Sequence, residues 1–222
     1  MLIELNDIRK QYPGQDKPVL NGISLKIPEG ATLAIVGPSG SGKSTLLNLL
    51  GTLDQPTAGE VLMDKTPTSR LTSEELSHIR NRKVGFIFQT HLLLPQLTVL
   101  ENVLLPVLPQ GKTKQKQAMD TAKKLLNSVR LSDKINSFPG KMSVGECQRV
   151  AVVRSLINGP ELLLADEPTG SLDQESAEKL GDMLMDLQKQ FSFTLITVTH
   201  SRALARRMET MYTLVNGKIS DH

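Results

Sequence analysis

The chain has 222 residues, of which 39% are hydrophobic and 22% are charged, and it carries a formal net charge of +3. The length fits one domain, or one domain with a subdomain, and the apolar content is enough for a packed core, which excludes a disordered chain. The mild charge and the scarcity of aromatic residues, with no Trp and two Tyr, argue against a nucleic-acid-binding protein.

The N-terminal part of the chain consists of short apolar runs separated by Gly and Pro, a pattern that predicts strands and turns. Residues 2–5 form one run, and residues 19–27 alternate apolar and polar side chains as a half-buried strand does. Residues 32–36 form a continuous run that favours a buried parallel strand. The same pattern predicts a helix over residues 44–50 and a further strand over residues 84–88.

The middle of the chain, from about residue 91 to residue 157, has helical periodicity. Its lysine-rich stretch, residues 112–129, places Ala118, Ala122 and Leu125 at helical spacing, so we expect an amphipathic helix. The basic run favours a solvated helix face over a binding patch.

The C-terminal part returns to strands after Asn-Gly-Pro at residues 158–160, which ends a helix. Residues 162–165 and 194–198 have the pattern of buried strands, with an amphipathic helix over residues 176–189 between them. An Asn-Gly pair at residues 216–217 predicts a closing hairpin. This order of elements predicts an α/β fold whose parallel core carries an inserted helical subdomain.

One glycine-rich segment matches the phosphate-binding pattern G-x-x-x-x-G-K-[ST] between a predicted strand and a predicted helix. The backbone N–H groups of such a loop and the N-terminus of its helix attract phosphate. Lys43 is expected to reach the β- and γ-phosphates as a catalytic residue, and the Ser44 hydroxyl to bind Mg²⁺. The predicted nucleotide-binding residues of the loop are Gly37, Pro38, Ser39, Gly40, Ser41, Gly42, Lys43, Ser44 and Thr45.

Two acidic residues, Asp166 and Glu167, follow the apolar run of residues 162–165. In a chain with a phosphate-binding loop, an aspartate at the end of a buried strand is expected to hold Mg²⁺, directly or through water. The next carboxylate can polarise the water that attacks the γ-phosphate. We therefore predict that Asp166 is a metal ligand and that Glu167 is the catalytic base.

The remaining sequence features concern location. Cys147 is the single cysteine, so an internal disulfide cannot form and a reducing compartment is expected. The first residues lack a basic region followed by an apolar stretch, so we expect no signal peptide. No run approaches about 18 apolar residues, so we expect that any membrane-spanning helix belongs to another chain.

These motifs resemble those of the ATP-binding subunits of ABC transporters over essentially the whole chain. The smaller motifs occur in the family's order, with Tyr12 at the A-loop, Gln89 at the Q-loop, residues 142–146 at the signature motif, Asp173 in the D-loop and His200 at the switch position. GTPases with the same loop carry a guanine-reading Asn-Lys-x-Asp motif, which this sequence lacks, and kinases with it lack the signature and D-loop.

The resemblance implies a P-loop NTPase (RecA-like) fold, in which a parallel sheet core carries an N-terminal antiparallel β region and an inserted α-helical subdomain. It implies a single ATPase domain over residues 1–222. The core would comprise residues 1–90 and 158–222, and the helical subdomain residues 91–157.

The resemblance also implies an ATPase that uses ATP and Mg²⁺. Tyr12 would stack on adenine, and Gln89 would contact Mg²⁺ and sense a membrane permease. Glu167 would be the general base, and His200 would contact the γ-phosphate and orient the attacking water. Asp166 would be a metal ligand together with Ser44 and Gln89.

Two copies, or this chain and a related ATPase subunit, would meet head to tail around two ATP molecules. Ser143 and Gly145 of each signature motif would close on the ATP of the other subunit, and Asp173 would communicate across the dimer. Each subunit would lie in the cytoplasm, held at the inner membrane by the permease. Nucleic acid is not an expected partner.

Several phrases resemble the lipoprotein-release, macrolide-export and FtsE-type branch of the family, namely residues 85–89, 97–103 and 164–173. Permeases of that branch have few spanning helices and a large extracytoplasmic domain. The branch moves lipids, drugs or peptides or transmits force, so the sequence leaves the cargo, the direction of transport and the permease open.

Val144 occupies a signature position where the family usually has glycine. A required positive φ would strain a β-branched residue there, whereas ordinary helical or extended dihedrals would change only packing. Glu146, in place of the commoner glutamine, recurs in this branch. We expect a competent site with reduced turnover. The alternative is a nucleotide-dependent scaffold or mechanotransmission subunit at the membrane with low turnover.

Overall fold

The computed structural model describes residues 1–221, which form ten β-strands and seven α-helices. The strands are β1 (Ile3–Lys10), β2 (Leu20–Ile27), β3 (Thr32–Val36), β4 (Ala58–Met63), β5 (Thr66–Pro67), β6 (Val84–Ile87), β7 (Leu162–Asp166), β8 (Thr194–Val198), β9 (Thr210–Val215) and β10 (Lys218–Asp221). The helices are α1 (Lys43–Leu50), α2 (Ser73–Arg82), α3 (Val99–Leu104), α4 (Lys112–Ser128), α5 (Val144–Leu156), α6 (Gln174–Phe191) and α7 (Arg202–Ala205).

Two sheets organise the fold. The larger sheet has the order β10-β9-β3-β8-β7-β6, in which β9, β3, β8, β7 and β6 are parallel and β10 is antiparallel to β9. The smaller sheet has the order β2-β1-β4-β5 and is antiparallel throughout. The N–H of Asn21 on β2 donates to the Gly217 carbonyl in the β9–β10 turn, which joins the two sheets. The predicted parallel core and antiparallel N-terminal region are thus both present.

Burial explains why the central strands of the larger sheet are parallel. β8 is buried along its whole length, and β3 and β7 are buried except at their last residue. Such runs have apolar residues for both faces of a covered sheet, as parallel sheets require. Helix α1 and the smaller sheet cover one face, and α5, α6 and α7 cover the other.

The helical segment between β6 and β7 contains α3, α4 and α5, with short 3₁₀ turns at Leu105–Gln110, Ser132–Lys134 and Pro139–Lys141. Its apolar side chains belong to the same buried cluster as Leu163 of β7 and Leu195 of β8. Capping boxes start α3 at Thr98 and α5 at Ser143, so local sequence sets both helix beginnings. The division into a core and a helical subdomain at residues 91 and 157 stays a prediction.

Several predicted boundaries were wrong. Residues 3–5 of the run predicted at residues 2–5 belong to the longer strand β1, because its polar residues pair with β2 as far as Lys10 and with β4 as far as Arg9. β1 also contains an irregularity at Asp7, whose φ is 46°. The helix predicted at residues 176–189 extends to Phe191 and begins at Gln174, where Asp173 caps it. None of the helices in residues 1–221 combines the length and apolar character needed to cross a membrane.

Candidate functional site

The carboxyl ends of four parallel strands meet along one edge of the larger sheet. The loop after β3 begins at Gly37, Gln89 lies two residues after β6, and β7 ends at Asp166. His200 lies two residues after β8. The strand register aligns Asp166 with Val198, so the functional residues of these two strands are neighbours. Open α/β sheets bind ligands at this edge.

The loop between β3 and α1 has a backbone that its glycines permit. Gly40 and Gly42 have φ values of 76° and 101°, which side chains rarely adopt. A Cβ on Gly42 would lie 2.8 Å from Leu20 Cδ2, and one on Gly37 would lie 2.2 Å from the Leu214 carbonyl oxygen. Gly42 is therefore also required by close packing against β2, and Gly37 by close packing against β9.

Lys43 folds back over this loop. Its ammonium donates hydrogen bonds to the carbonyl oxygens of Gly37 at 2.9 Å and Pro38 at 3.0 Å, and the residue is only 8% exposed. The hydroxyl of Ser41 is buried and has no hydrogen-bond partner among residues 1–221. The loop therefore presents a cation, an unsatisfied hydroxyl and a helix N-terminus together, which is the chemistry of an anion site.

A cleft of 300 Å³ lies beside the loop. It is lined by Tyr12, Gln15, Val19, Gly40, Gly42, Lys43, Ser44 and Thr45. The Tyr12 hydroxyl donates to Asp54 Oδ2 at 3.0 Å, and the Lys10 ammonium lies 4.8 Å from the centre of the tyrosine ring. These contacts fix the tyrosine at the edge of the cleft, beside the phosphate loop.

Asp166 ends β7 next to the phosphate loop. Burial raises the pKa of its carboxyl, and the adjacent Glu167 carboxylate does the same, while the Ser44 hydroxyl and Lys43 lower it. The structure thus brings together Ser44 and Asp166, two of the three predicted metal ligands. Hydroxyl and carboxylate oxygens are ligands that suit Mg²⁺, and a bound cation would relieve the cost of the buried charge.

Glu167 has an unusual backbone and a well-defined side chain. Its φ is 46°, an uncommon value for a residue other than glycine, and such strain concentrates at functional sites. The carboxylate accepts hydrogen bonds from the Thr199 hydroxyl and the His200 N–H, both at 3.1 Å, and lies 2.9 Å from His200 Nδ1. Thr199 and His200, which follow β8, therefore orient the carboxylate of Glu167, which follows β7.

Gln89 lies near the residues that follow Glu167. A Cβ on Gly170 would be 3.2 Å from Gln89 Nε2, and the Ser171 hydroxyl donates to the Gln89 carbonyl oxygen at 3.2 Å. Gln89 is therefore in contact with the segment that connects Glu167 to Asp173. No hydrogen bond in the part of the chain that the structure describes joins the Gln89 side chain to Asp166.

The signature segment forms the exposed first turn of α5. Ser143 is the N-cap: its hydroxyl accepts from the Glu146 N–H, and its own N–H donates to Glu146 and lowers the pKa of that carboxyl. Val144 is the first helical residue, is 51% exposed and does not have a positive φ. Valine is therefore compatible with the backbone at this position, and the question that the sequence left open is answered.

The predicted residues of the signature and the D-loop lie apart from the cleft. Neither Ser143 nor Gly145 lines it, and a Cβ on Gly145 would instead lie 3.7 Å from Ser176 in the first turn of α6. Asp173 caps this helix by accepting from the Ser176 N–H at 3.0 Å. One chain therefore carries a phosphate-binding loop and, separately, an exposed helix N-terminus.

Sequence reasoning missed two residues that support the site. Thr199 is fully buried and donates to Glu167, and Gln148 is fully buried and donates to the carbonyl oxygen of Phe88 at 2.9 Å. A polar residue next to the switch histidine was the available signal for Thr199. A glutamine among the apolar residues of α5 was the signal for Gln148. Cys147 is buried, and burial raises the pKa of its thiol.

Comparisons with known proteins show which family the chain resembles. A sequence profile of the ABC transporter family matches residues 20–170. The lipoprotein-releasing system ATP-binding protein LolD of Syntrophus aciditrophicus is 44% identical over 220 residues, which cover 98% of each chain. LolD of Bacteroides thetaiotaomicron is 44% identical over 218 residues, 98% of this chain and 99% of that protein. A solved dimer of an ATP-binding cassette in a post-hydrolysis state with ADP and Pi has a TM-score of 0.86 and 36% identity, covering 99% of this chain and 98% of that one.

The fold and the phosphate loop define a P-loop NTPase. The profile match and the near full-length relatives then identify the family, and the chain belongs to the ABC transporter family. Within it, this is the ATP-binding and ATP-hydrolysing subunit. The predicted family, fold class and ATPase activity are confirmed, and the alternative of a low-turnover scaffold is not favoured.

Proposed function

We propose that this chain hydrolyses ATP for a lipoprotein-releasing transporter, at the cytoplasmic face of the inner membrane. The observation that supports hydrolysis best is the Glu167 carboxylate, held by Thr199 and His200 beside Asp166 and the phosphate loop. The release of lipoproteins as the function is supported by the names of relatives that share 44% of the sequence over nearly the whole chain.

The phosphate loop binds the triphosphate of ATP in this proposal. Lys43 exchanges its bonds with the loop carbonyls for the β- and γ-phosphates, and the loop N–H groups bind the remaining oxygens. The adenine stacks on Tyr12 across the cleft. Ser44, Asp166 and Gln89 are the residues that would hold Mg²⁺, which, when bound, neutralises charge on the phosphates.

Glu167 accepts a proton from the attacking water in this proposal. Its carboxylate is directed by the Thr199 hydroxyl and the His200 N–H, so residues of this chain alone orient it. The imidazole of His200 is mostly exposed and can contact the γ-phosphate when the site closes. The hydrogen bonds fix the direction in which the base faces, which is the positioning that phosphoryl transfer needs.

Ser143 and Gly145 act on the ATP of a second subunit. Their helix N-terminus is exposed and lies away from the cleft of its own chain, yet it has the N–H groups and the partial positive charge that bind phosphate. A head-to-tail dimer satisfies both facts, since each α5 would then face the γ-phosphate of its partner. Asp173 lies close enough to this turn, through Ser176, to report closure between subunits.

Replacing Lys43 by Ala in the chain co-reconstituted with its permease tests the proposal. We expect the loss of ATP hydrolysis and of the release of a lipid-anchored lipoprotein from proteoliposomes to an acceptor. Lys189→Ala, at an exposed lysine in the last turn of α6, is the matched control and should retain both activities. Hydrolysis without lipoprotein release in the wild type would reject the substrate class, and full hydrolysis by Lys43→Ala would reject the site.

A further inference from the structure

Gln148 is a fully buried amide between the signature helix and the Q-loop. It lies on α5, two residues after Glu146, and its Nε2 donates to the carbonyl oxygen of Phe88 at 2.9 Å. Phe88 is the residue before Gln89. The Gln148 Oε1 atom is also buried, but it has no hydrogen-bond partner among residues 1–221.

Stability alone does not explain a half-satisfied amide at this position. A buried polar atom without a partner costs at least as much as one hydrogen bond contributes, so the Gln148 amide adds little net stability. An apolar side chain of the same length would remove the unpaired Oε1 but would also leave the Phe88 carbonyl oxygen without this donor, so the net change in stability would be small. The effect that only the amide supplies is a directed bond between α5 and the main chain that leads into Gln89.

Other contacts make this bond part of a defined arrangement. Arg154, further along α5, donates to the carbonyl oxygens of His91 and Leu92 at 2.8 Å and 2.7 Å. Helix α5 therefore binds the main chain on both sides of Gln89. The carbonyl oxygen of Gln89 itself accepts from Ser171, which belongs to the segment after Glu167. Two parts of the chain therefore bind the loop that contains Gln89, namely helix α5 and the segment after Glu167.

We propose that Gln148 is a positioning residue that fixes the signature turn of α5 relative to Gln89. Through one amide, the helix that carries Ser143 and Gly145 keeps a set distance from the loop that carries Gln89. The proposal rests on the functions proposed above for these three residues. Gln148 touches neither the cleft nor the phosphate loop, so it acts on the rate through geometry and not through binding.

Gln148→Met is the first test, because Met matches the length of Gln and removes both polar atoms. We expect the variant to unfold at nearly the same urea concentration, because removing the unpaired Oε1 offsets the lost donor to Phe88, and to bind ATP with an unchanged Kd. Its kcat should fall between about fivefold and a hundredfold, the range expected when reacting groups are displaced by a fraction of an ångström to 1 Å. A Met variant of normal stability and normal kcat would overturn the proposal.

Gln188→Met is the matched control for a merely structural effect. Gln188 is also buried, but its amide donates to two carbonyl oxygens, those of Gly30 and Phe193, far from the loop of Gln89. We expect this variant to lose stability while its kcat per folded molecule stays normal. An equal loss of kcat in the two variants would assign the effect of Gln148 to general destabilisation and overturn the proposal.

Gln148→Glu adds a second measurement, the pH dependence of kcat, which a merely structural role of Gln148 would not change. Burial should raise the pKa of the new carboxyl, so that its neutral form can donate an O–H to the Phe88 carbonyl at low pH. Ionisation at higher pH removes that donor. The ratio of variant to wild-type kcat should therefore fall as the pH rises from about 6 to about 9.

The ratio of variant to wild-type kcat also decides the outcome if Gln148→Met fails to fold. A ratio for Gln148→Glu that does not change with pH would overturn the proposal. The result for Lys43→Ala separates this inference from the proposed function. If that variant loses hydrolysis while both Gln148 variants behave as wild type, the proposed site stands and only the role of Gln148 fails.

Discussion

His200 Nδ1 lies 2.9 Å from Glu167 Oε1, while the backbone N–H of the same histidine donates to Glu167 Oε2 at 3.1 Å. One residue therefore contacts both oxygens of the carboxylate, by its ring and by its main chain. The carboxylate is mostly buried, whereas the imidazole is 69% exposed. The histidine ring can thus leave Glu167 for a phosphate without releasing the oxygen that its N–H and Thr199 hold.

Glu167→Gln should separate ATP binding from hydrolysis. The amide oxygen can still accept from Thr199 and from the His200 N–H, so the local geometry persists, but glutamine cannot take a proton from water. We expect kcat to fall by about 10²- to 10⁴-fold with nucleotide affinity retained. Sedimentation at saturating ATP and Mg²⁺ should show a dimer that does not decay.

Glu161→Gln is the control for this change, since Glu161 is an exposed acid just before the same strand and pairs with Lys83. It should hydrolyse ATP at the wild-type rate. A Glu167→Gln variant that keeps its turnover, or that stays monomeric at saturating ATP, would contradict the assignment.

Tyr12 should contribute to ATP affinity through its ring and not through its hydroxyl. The hydroxyl is already engaged with Asp54, and Lys10 also binds that carboxylate at 2.6 Å, so the anchor of this segment survives without the phenol oxygen. We expect Tyr12→Phe to bind a fluorescent ATP analogue as the wild type does. Tyr12→Ala should raise Kd by about 5- to 150-fold, the equivalent of about 1–3 kcal/mol for one stacked base. Equal affinities for the Ala and Tyr proteins would show that the adenine lies elsewhere.

Val144→Gly should increase turnover at a small cost in stability. Val144 is in ordinary helical conformation, so glycine relieves no strain and loses less than about 1 kcal/mol of helix stability. In the proposed dimer, the exposed valine side chain at the first turn of α5 would stand between the N–H groups of that turn and the γ-phosphate of the partner's ATP. Removing it should raise kcat by about two- to tenfold, as one improved hydrogen bond would.

Val144→Ala distinguishes the effect of side-chain size from that of backbone flexibility at position 144, because alanine removes the branched side chain and retains helix propensity. Both variants should be faster than the wild type in steady-state hydrolysis. An unchanged or lower kcat in both, with normal folding, would show that the Val144 side chain does not face the nucleotide.

The sequence predicts those parts of the fold that depend on local pattern. The apolar runs of β3, β7 and β8 and the glycine-rich loop place Lys43 and Asp166 at one sheet edge, because parallel strands end on the same side. The polar half of β1 was missed because its strand conformation comes from pairing with β2 and β4, which is a tertiary effect. Propensity gives way to such contacts routinely.

The supporting contacts of the site were not predictable for a similar reason. Gln148 and Phe88 are 60 residues apart, and Thr199 and Glu167 are 32 apart, so each pair forms only when α5 or β8 has docked. The backbone of Val144 was left open, although Ser143 and Glu146 form the capping-box pattern S-x-x-E, a local sequence signal for a helix beginning. The capping box between Ser143 and Glu146 selects the helical conformation.

His91 should make the protein less stable in mild acid. Burial lowers the pKa of its imidazole, with a smaller effect from Arg154, and its Nδ1 accepts a hydrogen bond from the Leu93 N–H at 3.1 Å. A histidine with a lowered pKa in the folded state binds fewer protons there than in the unfolded chain. Its contribution is therefore present above the unfolded pKa of about 6.5 and is lost as the pH falls through the lower, folded value.

His91→Asn is the variant that isolates this effect, because the asparagine oxygen can accept from Leu93 at any pH and does not titrate in this range. We expect the free energy of unfolding in urea to drop more steeply between about pH 7 and about pH 5 for the wild type than for the variant. His78→Asn is the control at an exposed position of α2 and should follow the wild-type curve. Parallel curves for the wild type and His91→Asn would mean that protonation of His91 does not act on the loop that follows Gln89.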